Sequence, residues 1–386
     1  MARVAASAST VHVHFYCTHH NPQIKKPKMH SLRRGTGGRS SFSGIVATVF
    51  GSSGFLGRYV CNRLGKIGTQ LILPYRGDAG DMLPLKLCGD LGQVLFQPYN
   101  LKDDESIYKS LMYSNTVINL VGRDWETKNY SFDDVHVEGA RRIARIAKEA
   151  GVETFIHLSS MNVTEKPEPF MLPKGSKWLA SKWAGENAVR EEFPEAVIIR
   201  PSDIYGQEDR FLRYYCNNFR RTFDMIPLYK KGEFTEKQPV YAGDVAAGIV
   251  AACRDRTVRG EIIQAVGPNR YLLSELVDWF FRVTRLDDGC KRYDMRYDPL
   301  FQLRVSLLPY FSLGFPLGNI HWERVERENF SDAVDNRIKT LEDLGVKLTK
   351  MEDQVPWELK IFKRYTYYEA ELGEFEEPSP PRVIQV

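Results

Sequence analysis

The 386-residue sequence contains no run of 18 apolar residues, so no segment has the length and hydrophobicity of a membrane-spanning helix. It also lacks any Cys-x-x-Cys pair among its six cysteines, which are Cys17, Cys61, Cys88, Cys216, Cys253 and Cys290. This scattered spacing is typical neither of a disulfide framework nor of a zinc site, and it fits a reducing compartment.

Acidic residues are absent from the first 43 positions, whereas seven of the 53 Lys and Arg residues lie there. The remaining chain carries 46 basic and 49 acidic side chains, about −3, so the overall charge of +4 comes from this leader. A body of that charge does not favour binding to nucleic acid. A basic, serine-rich, acid-free leader is typical of a mitochondrial or chloroplast transit peptide, and a disordered basic tail is the alternative. We therefore predict a transit peptide or disordered segment over residues 1–43.

From Gly44 onward, short apolar runs alternate with segments of helical spacing. Strands are predicted at residues 45–50, 70–73, 94–97, 116–121, 154–158 and 196–199, with helices between them. This alternation predicts an α/β fold, a Rossmann-type doubly wound parallel sheet with a smaller α/β C-terminal part. We place a Rossmann core at residues 44–201, and at residues 202–386 a C-terminal part that completes the fold and docks to partners.

The segment Gly51–Gly57, GSSGFLG, stands between the first predicted strand and a predicted helix. At this spacing one glycine makes the tight turn, one lets the backbone approach a pyrophosphate, and one lets the helix pack on the sheet. The helix would point free N–H groups and its positive dipole end at the phosphates. The pattern predicts a dinucleotide site, and a Rossmann fold with an empty site is the alternative.

The end of the second predicted strand distinguishes NAD from NADP. An acidic residue there would bind the ribose 2′-hydroxyl, but the chain has Pro74, Tyr75 and Arg76, and the first acid is Asp78. Arg76 can pair with a 2′-phosphate and stack on adenine, which predicts NADP(H). The alternative is a solvated Arg76, with Asp78 serving the ribose.

Further segments resemble the extended short-chain dehydrogenase/reductase family over residues 44–290. They are the pair Asn100-Leu101, the segments Asn119–Gly122 and Val137–Ala140, the pair Ser159-Ser160, and the segment Arg200–Gly206, which has the form RPxxIYG. The resemblance implies that most of these segments lie along a bound dinucleotide. With the glycine loop and Arg76, the cofactor-binding residues it implies are Gly51, Ser52, Ser53, Gly54, Phe55, Leu56, Gly57, Arg76, Asn100, Leu101, Leu120, Val121, Gly122, Ser159, Lys182, Pro201 and Ile204.

The family's catalytic pair, Tyr-x-x-x-Lys, is incomplete in this chain. Trp178 stands at the tyrosine position, Lys182 is retained, and Glu186 follows at the usual spacing. An indole N–H donates a hydrogen bond but does not ionise usefully near neutral pH. The position that often carries a catalytic hydroxyl is Met161. The resemblance therefore implies no catalytic residue and no metal, and a nucleotide that is held without redox turnover.

Within this family, the features resemble the NADP(H)-binding accessory subunits of mitochondrial respiratory complex I. The resemblance implies a peripheral protein on the matrix side of the inner membrane, where the hydrophilic and membrane arms join. It would contact other subunits there and support assembly and stability. One alternative is an active NADP-dependent reductase or epimerase that uses another acid, such as Tyr205 or Tyr241. Another is a redox sensor with the same fold.

Residues 299–320 are unusually apolar but contain Pro309 and Pro316, which argue against one continuous core helix. Their Leu, Phe and Tyr residues suit a docking surface for a partner subunit or for lipid headgroups. A second core layer packed against the sheet is the alternative.

Overall fold

The computed structural model describes residues 33–222, 225–286, 291–311, 316–368 and 375–384. The larger part of the predicted transit peptide, residues 1–32, lies outside these ranges. Structure begins earlier than the predicted Gly44, because Arg34 and Phe42 form a bridge and the Ser43 N–H donates to the Gly68 carbonyl oxygen at 2.9 Å. None of the described helices has the length and hydrophobicity needed to cross a membrane.

Eight parallel strands form the central sheet. From one edge to the other they are β14 (Lys339–Thr340), β11 (Ile262–Ala265), β6 (Val197–Pro201), β5 (Thr154–Leu158), β4 (Thr116–Asn119), β1 (Val46–Phe50), β2 (Gln70–Tyr75) and β3 (Val94–Pro98). The chain order reverses between β1 and β4, and in doubly wound sheets ligands bind at such a reversal. The predicted fold class is confirmed, and the C-terminal part contributes β11 and β14 to the same sheet.

Helices cover both faces of the sheet. On one face α1 (Phe55–Lys66) packs against α6 (Ala242–Arg254); on the other, α3 (Gly139–Glu149) contacts both α2 (Asp104–Leu111) and α4 (Lys177–Glu192). Successive strand residues point to opposite faces, so Phe155 joins one core cluster and its neighbour Ile156 the other. The helix predicted between the strands at residues 116–121 and 154–158 is present over residues 132–149, and it contains a π-helical turn at Asp134–Glu138 directly before α3.

The C-terminal part has a second core of its own, rich in aromatic side chains. Three short strand pairs frame it: β7 (Ile204–Tyr205) with β10 (Val240–Tyr241), β8 (Met225–Leu228) with β13 (Lys291–Asp294), and β9 (Glu236–Lys237) with β12 (Tyr271–Leu272). The helices around it are α5 (Leu212–Cys216), α7 (Leu273–Thr284), α8 (Pro299–Phe311), α9 (Trp322–Glu328) and α10 (Met351–Glu358).

The apolar run at residues 299–320 is partly core and partly surface. Its first half is α8, which continues through Pro309 although the sequence argued for an interruption there. The proline lies close to the C-terminal end of the helix, so the backbone hydrogen bond that it cannot donate is one of the last in α8. The inner face of α8 is buried in the second core through Phe301 and Val305, whereas the side chains of its outer face, Leu300, Leu303 and Leu307, are 43–64% exposed.

A buried ion pair ties α9 to the second core. Arg220 donates to the Glu328 carboxylate at 2.8 Å, and neither side chain has any exposed surface. The Tyr214 hydroxyl donates to the same carboxylate at 2.9 Å, and its ring lies 4.9 Å from the Arg220 guanidinium carbon. Burying two charges is tolerated only when such partners compensate for the lost water.

We expect Arg220→Met to destabilise the protein strongly, because Glu328 would remain buried without its counter-ion. Breaking one side of a buried pair costs about 3–5 kcal/mol, and denaturant unfolding should show a loss of that size. Arg256→Gln, which removes an exposed pair with Glu153 at 3.3 Å, is the control and should cost about 1 kcal/mol or less. Equal losses for the two variants would contradict the role given to Arg220.

Candidate functional site

The loop after β1 has the geometry of a phosphate-binding turn. Gly51 has a positive φ of 80°, and a Cβ there would come within 3.0 Å of the Leu120 backbone that follows β4. A Cβ at Gly57 would lie 2.6 Å from the Ser52 carbonyl oxygen, which no real side chain tolerates. Gly54 precedes α1, and no side chain caps this N-terminus. The first-turn N–H groups of α1 are therefore free of a side-chain cap, as anion binding requires.

A cavity of about 290 Å³ opens beside this loop, at the carboxyl ends of β1, β4, β5 and β6. The predicted residues that line it are Gly51, Gly54, Phe55, Leu56, Gly57, Leu120, Gly122, Ser159, Lys182, Pro201 and Ile204. The predicted residues that do not line it are Ser52, Ser53, Arg76, Asn100, Leu101 and Val121. Of these six residues, Ser52 and Ser53 belong to the glycine loop, and Arg76, Asn100 and Leu101 lie at the end of the site where a Rossmann fold holds adenosine. The predicted residues therefore lie close together at the carboxyl ends of the strands.

At the adenosine end, two cations share one aromatic ring. The guanidinium carbon of Arg76 lies 5.0 Å from the centre of the Tyr130 ring, and Lys102 Nζ lies 4.7 Å from it. The Tyr130 hydroxyl donates to the Asn100 side chain at 3.4 Å. Leu101 is buried and packs against Gly139. Lys102 and Tyr130 could not be recognised from the sequence, because only the fold brings the loop after β3 next to the segment before α3.

Trp178 fixes the loop that follows β4. Its indole N–H donates to the Arg123 carbonyl oxygen at 2.7 Å, and the Arg123 N–H donates to His136 Nε2 at 3.2 Å. His136 Nδ1 lies 2.8 Å from the Ser181 hydroxyl, which donates to the Trp178 carbonyl oxygen. Burial, and then the charge of Lys182, hold the pKa of His136 well below its usual value, so the ring is neutral, as this network requires. The indole therefore has a structural hydrogen bond in the family's tyrosine position.

Lys182 is almost fully buried at the base of the cavity. Its Nζ donates to the Leu158 carbonyl oxygen at 3.2 Å and lies 5.7 Å from the Trp178 ring. Burial lowers the pKa of Lys182 to about 8, and the nearby Asp124 and Glu186 limit the decrease. Glu186 itself forms a two-point ion pair with Arg200 at 2.6 and 2.9 Å. The described lining of the cavity contains no tyrosine.

The two tyrosines considered as alternative acids lie elsewhere. Tyr205 has no exposed surface, and its hydroxyl donates to the Thr349 carbonyl oxygen at 3.3 Å. Tyr241 packs against the rings of Tyr59 and Tyr205. Burial raises the pKa of both phenols above the usual value. Neither tyrosine is placed to exchange a proton with a molecule in the cavity.

The other half of the cavity is dominated by arginines and aspartates that sequence reasoning missed. Asp124 accepts from Arg210, and from Arg327 at 3.3 Å. Burial alone would raise the pKa of Asp124, but these two guanidinium groups hold it well below its usual range. Asp203 pairs with Lys237 at 3.0 Å and with Arg324 at 3.6 Å. Asp203 lies within the RPxxIYG segment, at one of its variable positions, and no sequence motif marks the other residues, which come from separate segments of the chain.

The residues present fit a dinucleotide. Within the described residues, the buried hydroxyls of Ser52 and Ser159 have no hydrogen-bond partner; Ser159 lines the cavity and Ser52 belongs to the glycine loop. A Cβ at Gly122 would lie 3.3 Å from Lys182 Nζ, so glycine keeps the space above the lysine open. Lys182 can hold a ribose there, but among the described residues that line the cavity none is a tyrosine that could act beside it.

The parallel sheet, the glycine loop and the cavity beside it (the cleft) are those of a Rossmann-type protein of the short-chain dehydrogenase class. The family model for the NAD dependent epimerase/dehydratase family matches residues 47–265. Among solved structures, MoeE5 in complex with UDP-glucuronic acid and NAD has a TM-score of 0.58 at 14% identity, covering 81% of this chain and 96% of that chain. At this identity the likeness concerns the fold alone.

Two curated relatives are similar along most of the chain. Over 390 residues the chain is 42% identical to NADH dehydrogenase (ubiquinone) 1 alpha subcomplex subunit 9, mitochondrial, of Mus musculus, covering 100% of this chain and 96% of that protein. Over 338 residues it is 32% identical to the NADH-ubiquinone oxidoreductase 40 kDa subunit, mitochondrial, of Neurospora crassa, covering 87% of this chain and 84% of that protein. The chain therefore belongs to the NAD dependent epimerase/dehydratase family and, within it, to the group formed by these mitochondrial subunits.

We expect the stability contribution of Lys182 to depend on pH in the nucleotide-free chain. Because its pKa is about 8 when folded and 10.5 ordinarily, the unfolded chain binds more protons between those values, and the free energy of unfolding rises with pH. Lys182→Met removes this dependence. At pH 7 the Lys182→Met variant should have a higher free energy of unfolding than the unaltered chain. This difference should decrease by up to about 1.4 kcal/mol per pH unit between pH 8 and pH 10.

Denaturant unfolding of both proteins across that pH range measures the effect. Lys86→Met, which alters an exposed lysine, is the control and should run parallel to the unaltered chain. If the difference in the free energy of unfolding between Lys182→Met and the unaltered chain stays constant with pH, burial does not lower the pKa of Lys182.

Proposed function

We propose that this protein is a non-catalytic, NADP(H)-binding accessory subunit of mitochondrial complex I. The proposal rests on a contrast within one cavity. The glycine loop and Lys182 are arranged for a dinucleotide, whereas the Trp178 indole N–H donates to the Arg123 carbonyl oxygen at 2.7 Å. An indole in a fixed hydrogen bond cannot act as the general acid that the family's tyrosine provides. The nucleotide would then stabilise the fold, since a ligand that binds only the native state adds to its stability.

The adenosine end supports NADP(H) over NAD(H). Arg76 and Lys102 flank Tyr130, and neither forms an ion pair within the described ranges. Two cations without a carboxylate partner suit a 2′-phosphate, which carries negative charge and several acceptor oxygens. The first acid after β2 is Asp78, whose side chain accepts from the Gly80 N–H at 3.1 Å and caps its own turn.

We expect Arg76→Ala and Lys102→Ala each to weaken NADPH binding much more than NADH binding. A charge-assisted contact to the phosphate contributes about 1.5–3 kcal/mol, which is roughly ten- to hundredfold in affinity. Titration calorimetry with both nucleotides measures the loss, and Lys86→Ala is the matched control on an exposed lysine. Equal losses for NADPH and NADH would overturn the NADP assignment.

The relatives' names place them in the mitochondrion, and we propose the same compartment for this chain, at the matrix side of the inner membrane. In this scheme the transit peptide lies within residues 1–43. Residues 44–201 hold the nucleotide, and residues 202–386 complete the fold and dock to neighbouring subunits. The exposed leucines of α8 support the docking role, because a row of apolar side chains on one helix face is typical of protein interfaces.

We expect the triple variant Leu300→Ser, Leu303→Ser, Leu307→Ser to fold and bind NADPH normally but to be lost from complex I on native gels. All three side chains point away from the second core, whose contacts through Phe301 and Val305 remain. A matched triple serine variant at the exposed Leu83, Leu87 and Leu91 should remain in the complex. If the α8 variant co-migrates with complex I, the docking surface lies elsewhere. If the variant instead loses binding to lipid vesicles while staying in the complex, the face contacts lipid.

A further inference from the structure

We propose that the substrate half of the cleft binds the chain's own helix α9, and that α9 locks the nucleotide in place. The inference rests on the proposed nucleotide site and adds an internal ligand for the other half of the cleft. Arg324 and Arg327 of α9 line the same cavity as Gly51, Gly54 and Lys182.

Every charged side chain of α9 is engaged inside the protein. The Glu326 carboxylate accepts the N–H groups of residues 170, 171 and 172 at 2.6–2.9 Å. The Glu323 carboxylate accepts the Ser176 hydroxyl and the first N–H groups of α4, at 2.8–3.3 Å. Glu328 is the buried partner of Arg220. The helix is therefore fastened to the loop that enters α4, which is the helix that supplies Trp178 and Lys182.

Arg327 stacks on Trp178, the residue at the position that the resemblance assigns to the family's catalytic tyrosine. Its guanidinium carbon lies 4.0 Å from the centre of the Trp178 ring, and Lys182 lies 5.7 Å from the same ring. The guanidinium also donates to Asp124 at 3.3 Å, and Arg210 holds the other carboxylate oxygen. The Arg327 guanidinium therefore lies over the indole ring while it is paired with Asp124, and it occupies this side of the cavity with a charge of the chain's own.

Arg324 closes the cleft on its other side. It pairs with Asp203 at 3.6 Å, directly after the β6 strand end, and donates to the Arg210 carbonyl oxygen at 3.4 Å. The two arginines of α9 therefore bridge the loops that follow β4 and β6, which are the two walls of the cavity. In the proposed lock, release of a nucleotide bound along the glycine loop requires these bridges to open.

Nucleotide release is the direct test, on the full-length mature protein loaded with NADPH. Bound NADPH is chased with excess NADP⁺ and its fluorescence is followed with time. We expect Arg327→Gln and Asp124→Asn each to release NADPH about tenfold faster than the unaltered protein, equivalent to about 1.4 kcal/mol. The double variant should be no faster than either single variant, because both changes break one bridge.

The control is Arg292→Gln, which breaks a partly exposed arginine–aspartate pair with Asp278 at 2.8 Å in the C-terminal part, outside the cavity. It should release NADPH at the unaltered rate. Equal acceleration in this variant would mean that any loosening of the C-terminal part speeds release, and it would overturn the lock. Release from Arg327→Gln and Asp124→Asn at the unaltered rate would overturn it as well.

A second measurement needs no variant. Hydrogen exchange of the peptide covering residues 321–330 should slow when NADPH is added to the nucleotide-free protein, because nucleotide and α9 close the same cavity. Exchange that is the same with and without NADPH would overturn the lock even if the variants failed to fold. Failure of the unaltered protein to bind NADPH at all would refute the proposed function itself, which is a different result.

Discussion

The arrangement of this protein depends on the buried charges of one short helix. Helix α9 has the sequence WERVERE, and its five charged side chains all find partners within the protein. Removing charges from water is costly, and the cost is recovered only when each charge has well-placed partners. These pairs therefore hold together three things at once: the loop that leads into α4, the second core, and the two walls of the cleft.

The two halves of the cleft differ: one is arranged for a dinucleotide, and the other is occupied by Trp178 and by Arg327 of α9. The glycine loop, Lys182 and the two unpartnered hydroxyls remain arranged for a dinucleotide. On the opposite side, Arg327 stacks on Trp178, whose indole N–H donates to the Arg123 carbonyl oxygen, and in our proposal these two side chains take the space of the tyrosine and of the substrate. A binding site can lose its chemistry in this way and keep its ligand, because holding a nucleotide requires shape and charge, whereas turnover also requires an ionisable group in the right place.

Much of the nucleotide half could be predicted because its signals are local. The glycine spacing, the short strand before it and the helix after it lie within one βαβ unit. The retained lysine and the missing tyrosine lie on one helix, four residues apart. For residues 299–320 the sequence left two alternatives open, a docking surface and a second core layer. Apolar content does not tell which face of a helix is covered, and α8 buries Phe301 while exposing Leu303.

The sequence by itself determined the parallel sheet, the turn after β1 and the loss of the family's acid, because each depends on residues close together along the chain. Tertiary structure alone decided what fills the rest of the cleft. Residues 321–328 have the composition of a solvated helix, yet Glu326 is fully buried and Arg327 reaches Asp124 across about two hundred residues of chain. Burial of a charge depends on partners that only the folded chain assembles, and no local pattern records where those partners will be.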